Sequence, residues 1–231
     1  MALSRARKIL LSVVVVVAML AGALFVLPPL LFGDGVDYSH AVSIKKSAEY
    51  QDPALLAKAW ALPVASLYRA GVDFQSNGSF CGPTSVVNVM HSLHLGGEQK
   101  TILAGTDVST VFGFLPGGIT LDRLAELARS KVGKDVTILR DVDLATFREH
   151  VRRSNDPTRR YVINFHRGPL FATGGGHHSP ILGYLADEDL VFVLDVNKKY
   201  GPWLAKPERL YEAMNTVDGS AHKKRGLLVI E

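Results

Sequence analysis

One cysteine in 231 residues cannot close an internal disulfide, so this chain has to hold its fold by burying apolar surface. It has the material to do so: 47% of its residues are hydrophobic and 21% are charged, the balance of a globular chain with a sizeable core. At this length one domain is expected. The cysteine, Cys81, stands where the loop Gln75-Ser-Asn-Gly-Ser-Phe80 gives way to a helical pattern. Pro83 suits a first helical turn, where its missing N–H costs nothing, and Val86, Val87, Met90 and Leu93 then recur at helical spacing. A thiol at a helix N-terminus feels the positive end of the macrodipole, which favours the nucleophilic thiolate. Gln75 is a candidate amide donor to a developing oxyanion. The competing reading is the ordinary fate of a free cysteine, burial as a small hydrophobe.

Two later stretches favour chemistry. One is Thr173-Gly-Gly-Gly-His177-His178-Ser-Pro180 and the other Leu190-Val-Phe-Val-Leu-Asp195-Val. A nucleophilic cysteine needs a base, and the base needs a group to orient it. The chain order Cys81, His177, Asp195 suits a papain-like layout, with the nucleophile on a helix and the other two on neighbouring strands. His178 competes with His177 for the role of base. Neighbours on an extended segment point to opposite faces, so only one of the two is expected to face Cys81. Asp195, near the end of an apolar strand, is costly to bury without a partner. An imidazole N–H would supply one; otherwise Asp195 reads as a turn cap with Asn197.

Gln75-x5-Cys81-Gly, Gly176-His177-x-Ser-Pro180, Leu-Asp195-Val and Ala213-Met-Asn-Thr-Val-Asp218 together resemble the phytochelatin synthase family. So do Gly118-Ile-Thr-Leu-Asp122, Asn164-x-x-Arg167 and Lys224-Arg-Gly226. The likeness is to the short bacterial members that carry only the catalytic domain, and it runs from about Leu62 to the C-terminus. It implies an α+β, papain-like cysteine protease fold and glutathione as substrate, and it selects His177 over His178 as the base. It also implies that Asn164, Arg167 and Gly176 lie near the bound γ-glutamyl group, with Arg167 holding a carboxylate bidentately. After the aspartate the family usually has an arginine; this chain has Lys198, a point charge in place of a planar fork. Poorer grip on a second glutathione would favour hydrolysis over peptide transfer. No cofactor is implied, with cadmium or zinc entering as an activator through metal–glutathione thiolate. Two other readings are a papain-like peptidase acting on other peptides and a non-catalytic metal-binding module. The module would use Cys81 with His166, His177 and His178, but no C-x2-C or H-x3-H spacing supports it.

The formal charge of +4 misleads. Residues 1–33 hold Arg5, Arg7 and Lys8 and no acid, so of 26 basic residues 23 remain beside 22 acidic ones. That near-neutral remainder carries no footprint for nucleic acid. Residues 1–8 read as a basic n-region and 9–32 as an uncharged transmembrane anchor or signal segment. The basic flank predicts a catalytic domain on the extracytoplasmic side. The alternative is secretion after cleavage behind Ala21-Gly-Ala23. Residues 33–51 read as a linker and 52–231 as the catalytic domain. A homodimer is left open.

Within that domain, helices are expected from Pro53 to Trp60, from Cys81 towards Gly96, from Thr120 to before Gly133, after Asp143, and from Pro207 to Met214. Arg148, Arg152 and Arg153 are expected to face water. Tyr161–Phe165, Ile181–Leu185, Val191–Val196 and Leu227–Ile230 read as strands of a mostly antiparallel sheet, with another at Asp135–Leu139. The aperiodic stretch from Thr101 to Gly118 is long enough to form a wall or lid.

Overall fold

The computed structural model describes residues 12–16, 19 and 36–231. The expected anchor therefore lies outside the described residues, apart from 12–16 and 19, which are helical. Among the described residues no helix is long and apolar enough to cross a membrane.

The fold is α+β. In chain order the elements are α1 (Pro53–Trp60), α2 (Pro63–Tyr68), α3 (Cys81–Ser92), α4 (Leu121–Val132), β1 (Val136–Leu139), α5 (Leu144–Arg153), β2 (Arg160–His166), α6 (Arg167–Phe171), β3 (Gly176–Leu185), β4 (Leu190–Leu194), β5 (Pro202–Ala205), α7 (Pro207–Met214), β6 (Val217–Asp218), β7 (Lys223–Lys224) and β8 (Leu227–Ile230). Six strands form one antiparallel sheet in the order β1-β8-β2-β3-β4-β5. Helix starts follow from local chemistry: the side chains of Asp52, Thr120 and Asp143 accept from the N–H groups of Leu55, Arg123 and Thr146, each cap worth about 1 kcal/mol. Gly133 ends α4 in the left-handed conformation, at φ 60°.

Helices cover both faces of the sheet, which is why its central strands read as near-continuous apolar runs. Tyr161, Ile163 and Phe165 of β2 join Leu227, Val229 and Trp203 in a core that includes Phe147 and Leu210 from α5 and α7. On the opposite face Val162, Leu228 and Ile230 pack with Val86, Leu124 and Leu127 of α3 and α4. Leu182, Phe192 and Leu204 extend that face under α1 and α2.

Several elements differ from the sequence expectation. Strand β3 begins at Gly176, five residues before the apolar run, because Gly-His-His-Ser-Pro pairs with β2. Strand β4 ends at Leu194, so Asp195 stands just past it. Arg148 is not a solvated charge: its guanidinium bonds the Asp189 carboxylate at 2.9 and 3.0 Å and also contacts Glu208. Among its described residues, 36–51, the stretch read as a linker is docked at two points. Ile44 and Tyr50 are buried in the main core, and the Tyr50 carbonyl accepts from Leu204 N–H at 2.9 Å. Two large apolar side chains in a polar stretch are enough to dock it once a groove exists.

Candidate active site

Cys81 is the first residue of α3, with no side-chain cap ahead of it, so first-turn N–H groups stay available to a ligand. The helix lies close against its neighbours because residue 82 is glycine: a Cβ there would sit 2.4 Å from Ile119 Cγ2 and 3.6 Å from His178 Nδ1. Cys81 lines a cleft of about 650 Å³ shared with Asn164, His178, Gly176 and Arg225.

His178 is the histidine within hydrogen-bond distance of the Cys81 thiol. The register pairs Phe165 with His177 and Asn164 with His178, which puts His177 on the Phe165 face and His178 on the α3 face. The expected opposition of faces holds: the hydrogen-bond contact with Cys81 Sγ is made by His178, and His177 acts on the thiol through its charge. The pairing of β3 with β4 stops at Ile181 and Val193, so residues 176–180 of β3 pair with β2 and not with β4. His178 Nδ1 lies 3.9 Å from Cys81 Sγ. Burial pushes the Cys81 thiol up, but the charge of His177 and the hydrogen bond from His178 outweigh it and hold the thiol well below its ordinary range.

Behind His177 stands Asp195, fully buried and fully partnered. His177 Nε2 lies 3.0 Å from its Oδ1, Arg167 Nη2 donates to the carboxylate at 2.8 Å, Asn197 N–H at 2.9 Å and Trp203 Nε1–H at 3.3 Å. Burial would raise the carboxyl; His177, then Arg167 and the Asn197 N–H, bring it down to about 2. For His177, burial favours the neutral ring, while the charges of Asp195 and Cys81 and the Asp195 hydrogen bond raise its pKa against Arg167. A depressed thiol beside a raised imidazole is the electrostatic signature of a thiolate–imidazolium pair.

The remaining expected residues divide. Asn164 and Gly176 line the cleft, and a Cβ on Gly176 would come within 3.0 Å of Arg225 Nη2. Arg167 does not offer an open fork to a substrate carboxylate as expected. It is buried, sits 3.8 Å over the Tyr200 ring and faces Asp195, the strongest partner within reach of a buried guanidinium. The Gln75 backbone N–H donates to Val196 O at 2.8 Å, tying the nucleophile loop to the strand end at Asp195. Its side-chain Nε2 donates to Asn77 O at 2.7 Å. Lys198 is exposed and is not among the residues that line the cleft. The three histidines of the metal-module reading are engaged separately: His166 Nδ1 accepts from Gly168 N–H at 3.0 Å, His177 meets Asp195, and His178 meets Cys81. Among the described residues no group of three or more His, Cys, Asp or Glu side chains is arranged to hold an ion.

Arg225, Asp218 and Tyr38 line the cleft without having been singled out. Arg225 is buried, and its Nη1 donates to Thr216 Oγ1 at 3.0 Å and to Val217 O. The Lys224-Arg-Gly226 and Val217-Asp218 fragments carried a signal, but only their motif membership was visible. Tyr38, whose ring centroid is 4.8 Å from that of His166, lies in the stretch read as a linker.

A helix-borne cysteine meeting histidine and aspartate at one end of an antiparallel sheet defines a papain-like fold. A C39-like peptidase of Bacillus anthracis superposes with a TM-score of 0.50 at 13% identity, covering 71% of this chain and 96% of that one. The chain belongs to the phytochelatin synthase family, whose model, described as "Phytochelatin synthase", matches residues 50–227. It is 33% identical over 168 residues to glutathione gamma-glutamylcysteinyltransferase 3 of Lotus japonicus, covering 68% of this chain and 35% of the relative. It is 32% identical over 168 residues to glutathione gamma-glutamylcysteinyltransferase 2 of Arabidopsis thaliana, covering 68% and 37%. The chain thus spans about a third of the length of these relatives.

Proposed function

We propose that this chain cleaves the Cys–Gly amide of glutathione through a γ-glutamylcysteinyl thioester on Cys81. The observation that carries the reading is a thiol held low by the charge of His177, itself bonded to Asp195 at 3.0 Å, on a cleft that holds Arg225 and Asp218. The γ-glutamyl end of glutathione bears an α-carboxylate and an α-ammonium on one carbon. A buried cation and a carboxylate in one cleft are complementary to that pair.

With its Nε2–H directed at Asp195, neutral His177 keeps Nδ1 as the site that takes the Cys81 proton. The thiolate attacks the carbonyl carbon of the cysteinyl residue. The Cys81 N–H and the second N–H of Gln75 are the proposed donors to the resulting oxyanion. His177 returns the proton to the departing glycine amine, and the thioester remains. Water then attacks it, giving its proton to His177 and releasing γ-glutamylcysteine. Alternatively the amine of a second glutathione attacks and the peptide is lengthened. Cadmium or zinc would enter with that acceptor, bound to glutathione thiolates. Lys198 is exposed outside the cleft and is not proposed to set the balance between water and a second glutathione.

Glycine release from glutathione tests the proposal. Wild type should release glycine and γ-glutamylcysteine, and Cys81→Ala should release neither while keeping its fold. No glycine from folded wild type with glutathione in excess would contradict it. Residues 9–32 are proposed to anchor the chain, with the catalytic domain on the extracytoplasmic side.

A further inference from the structure

His178 meets the nucleophile from the other face of β3 and has its own partner. Its Nδ1 lies 3.9 Å from Cys81 Sγ, and its Nε2 lies 2.9 Å from Asn164 Nδ2. It is 3% exposed and Asn164 is 2% exposed, so neither contact is a chance of the surface. The orientation of the Asn164 amide decides the protonation of the ring. Asn164 Nδ2 also donates to the carbonyl of His177 at 3.3 Å. Reversing the amide would set its oxygen against that carbonyl, two acceptors with no proton between them. With Nδ2 fixed there, His178 Nε2 must accept, and the proton of the neutral ring must sit on Nδ1, the atom nearest the sulfur.

We propose that His178 is a second catalytic residue, a neutral imidazole that donates its Nδ1–H to the Cys81 thiolate, with Asn164 as the positioning residue that fixes this tautomer. The two adjacent histidines then carry opposite tautomers and divide the work. His177, with Nε2–H on Asp195, keeps Nδ1 free to take and return a proton. His178 has its only lone pair engaged by Asn164 and cannot act as the base while that contact lasts. It holds the sulfur in place as the charge on it appears and disappears.

The proposal rests on Cys81 being a nucleophile but not on the identity of its substrate, and its test does not use glutathione. Cys81 is the only thiol, so iodoacetamide alkylation of the full chain, followed against pH, reports thiolate formation there alone. His178→Phe should raise the midpoint by about one pH unit, the worth of a hydrogen bond to a charged group. His178→Asn, which restores an N–H near the place of Nδ1 but has no basic nitrogen, should recover most of that shift. A Phe variant with the wild-type midpoint overturns the proposal. So does an Asn variant as impaired as the Phe variant, which would make His178 a base. If the Phe variant does not fold, the 15N shifts of the His178 ring in unmodified protein decide. A protonated Nδ1 with bare Nε2 is expected, and the reverse tautomer contradicts the assignment.

Discussion

Arg167 Nη2 lies 2.8 Å from the carboxylate of Asp195, the group that receives Nε2 of His177. The guanidinium is thus the third member of a buried charge cluster, behind the base and not in front of it. Arg167→Met should leave Asp195 with one cation fewer in a dry site, at a cost of about 3–5 kcal/mol in folding stability. Turnover should fall more than the affinity for substrate. Chemical denaturation alongside kcat and KM checks this. A rise in KM alone, with unchanged stability, would instead make Arg167 a substrate grip.

Acid should weaken the fold through the same carboxylate. The folded pKa of Asp195, about 2, lies below the unfolded value of about 3.9. Its contribution is therefore fully present above about pH 4 and is lost as pH falls through about 2. Because Asp195 also raises the pKa of His177, the stability difference between wild type and Asp195→Asn should grow as pH falls from neutrality to about 6, hold to about pH 4 and shrink below it. A difference that ignores pH throughout that range contradicts the assignment.

Gly82→Ala tests how tightly the nucleophile helix is seated. The added methyl would meet Ile119 Cγ2 at 2.4 Å and approach His178 Nδ1. Such overpacking should cost about 1–3 kcal/mol, and the displaced ring should slow alkylation of Cys81. Unchanged melting and unchanged thiol reactivity would show that the helix end has slack.

The proposed orientation has its own check. A reporter fused after Glu231 that works only when exported should be active, and one that works only in the cytoplasm should be silent. The opposite pattern contradicts the reading of residues 9–32 as an anchor led by a basic flank.

Local signals were legible because they need only a few neighbouring residues. The caps at Asp52, Thr120 and Asp143, the stop at Gly133 and the start of a helix near Cys81 all belong here. So does the pairing of His177 with Asp195, since a buried strand-end carboxylate has few other ways to be satisfied. What could not be read depends on register and on contacts across the chain. Asn164 meets His178 only because β2 and β3 pair with those two residues opposite each other. Arg167 turns inward because Asp195, 28 residues on, is buried beside it. Tyr38 and Tyr50 looked like linker residues because a polar neighbourhood hides two anchors whose grooves are built by distant elements.

The proposed reaction passes through a covalent intermediate on one named sulfur. Intact-mass measurement of the full chain, quenched in acid during turnover of glutathione, tests it most directly. A population heavier by one γ-glutamylcysteinyl unit is expected, mapped to Cys81, discharged by hydroxylamine and absent from Cys81→Ala. Release of glycine by wild type with no such adduct at any time, and undiminished release by the folded Ala variant, would contradict it.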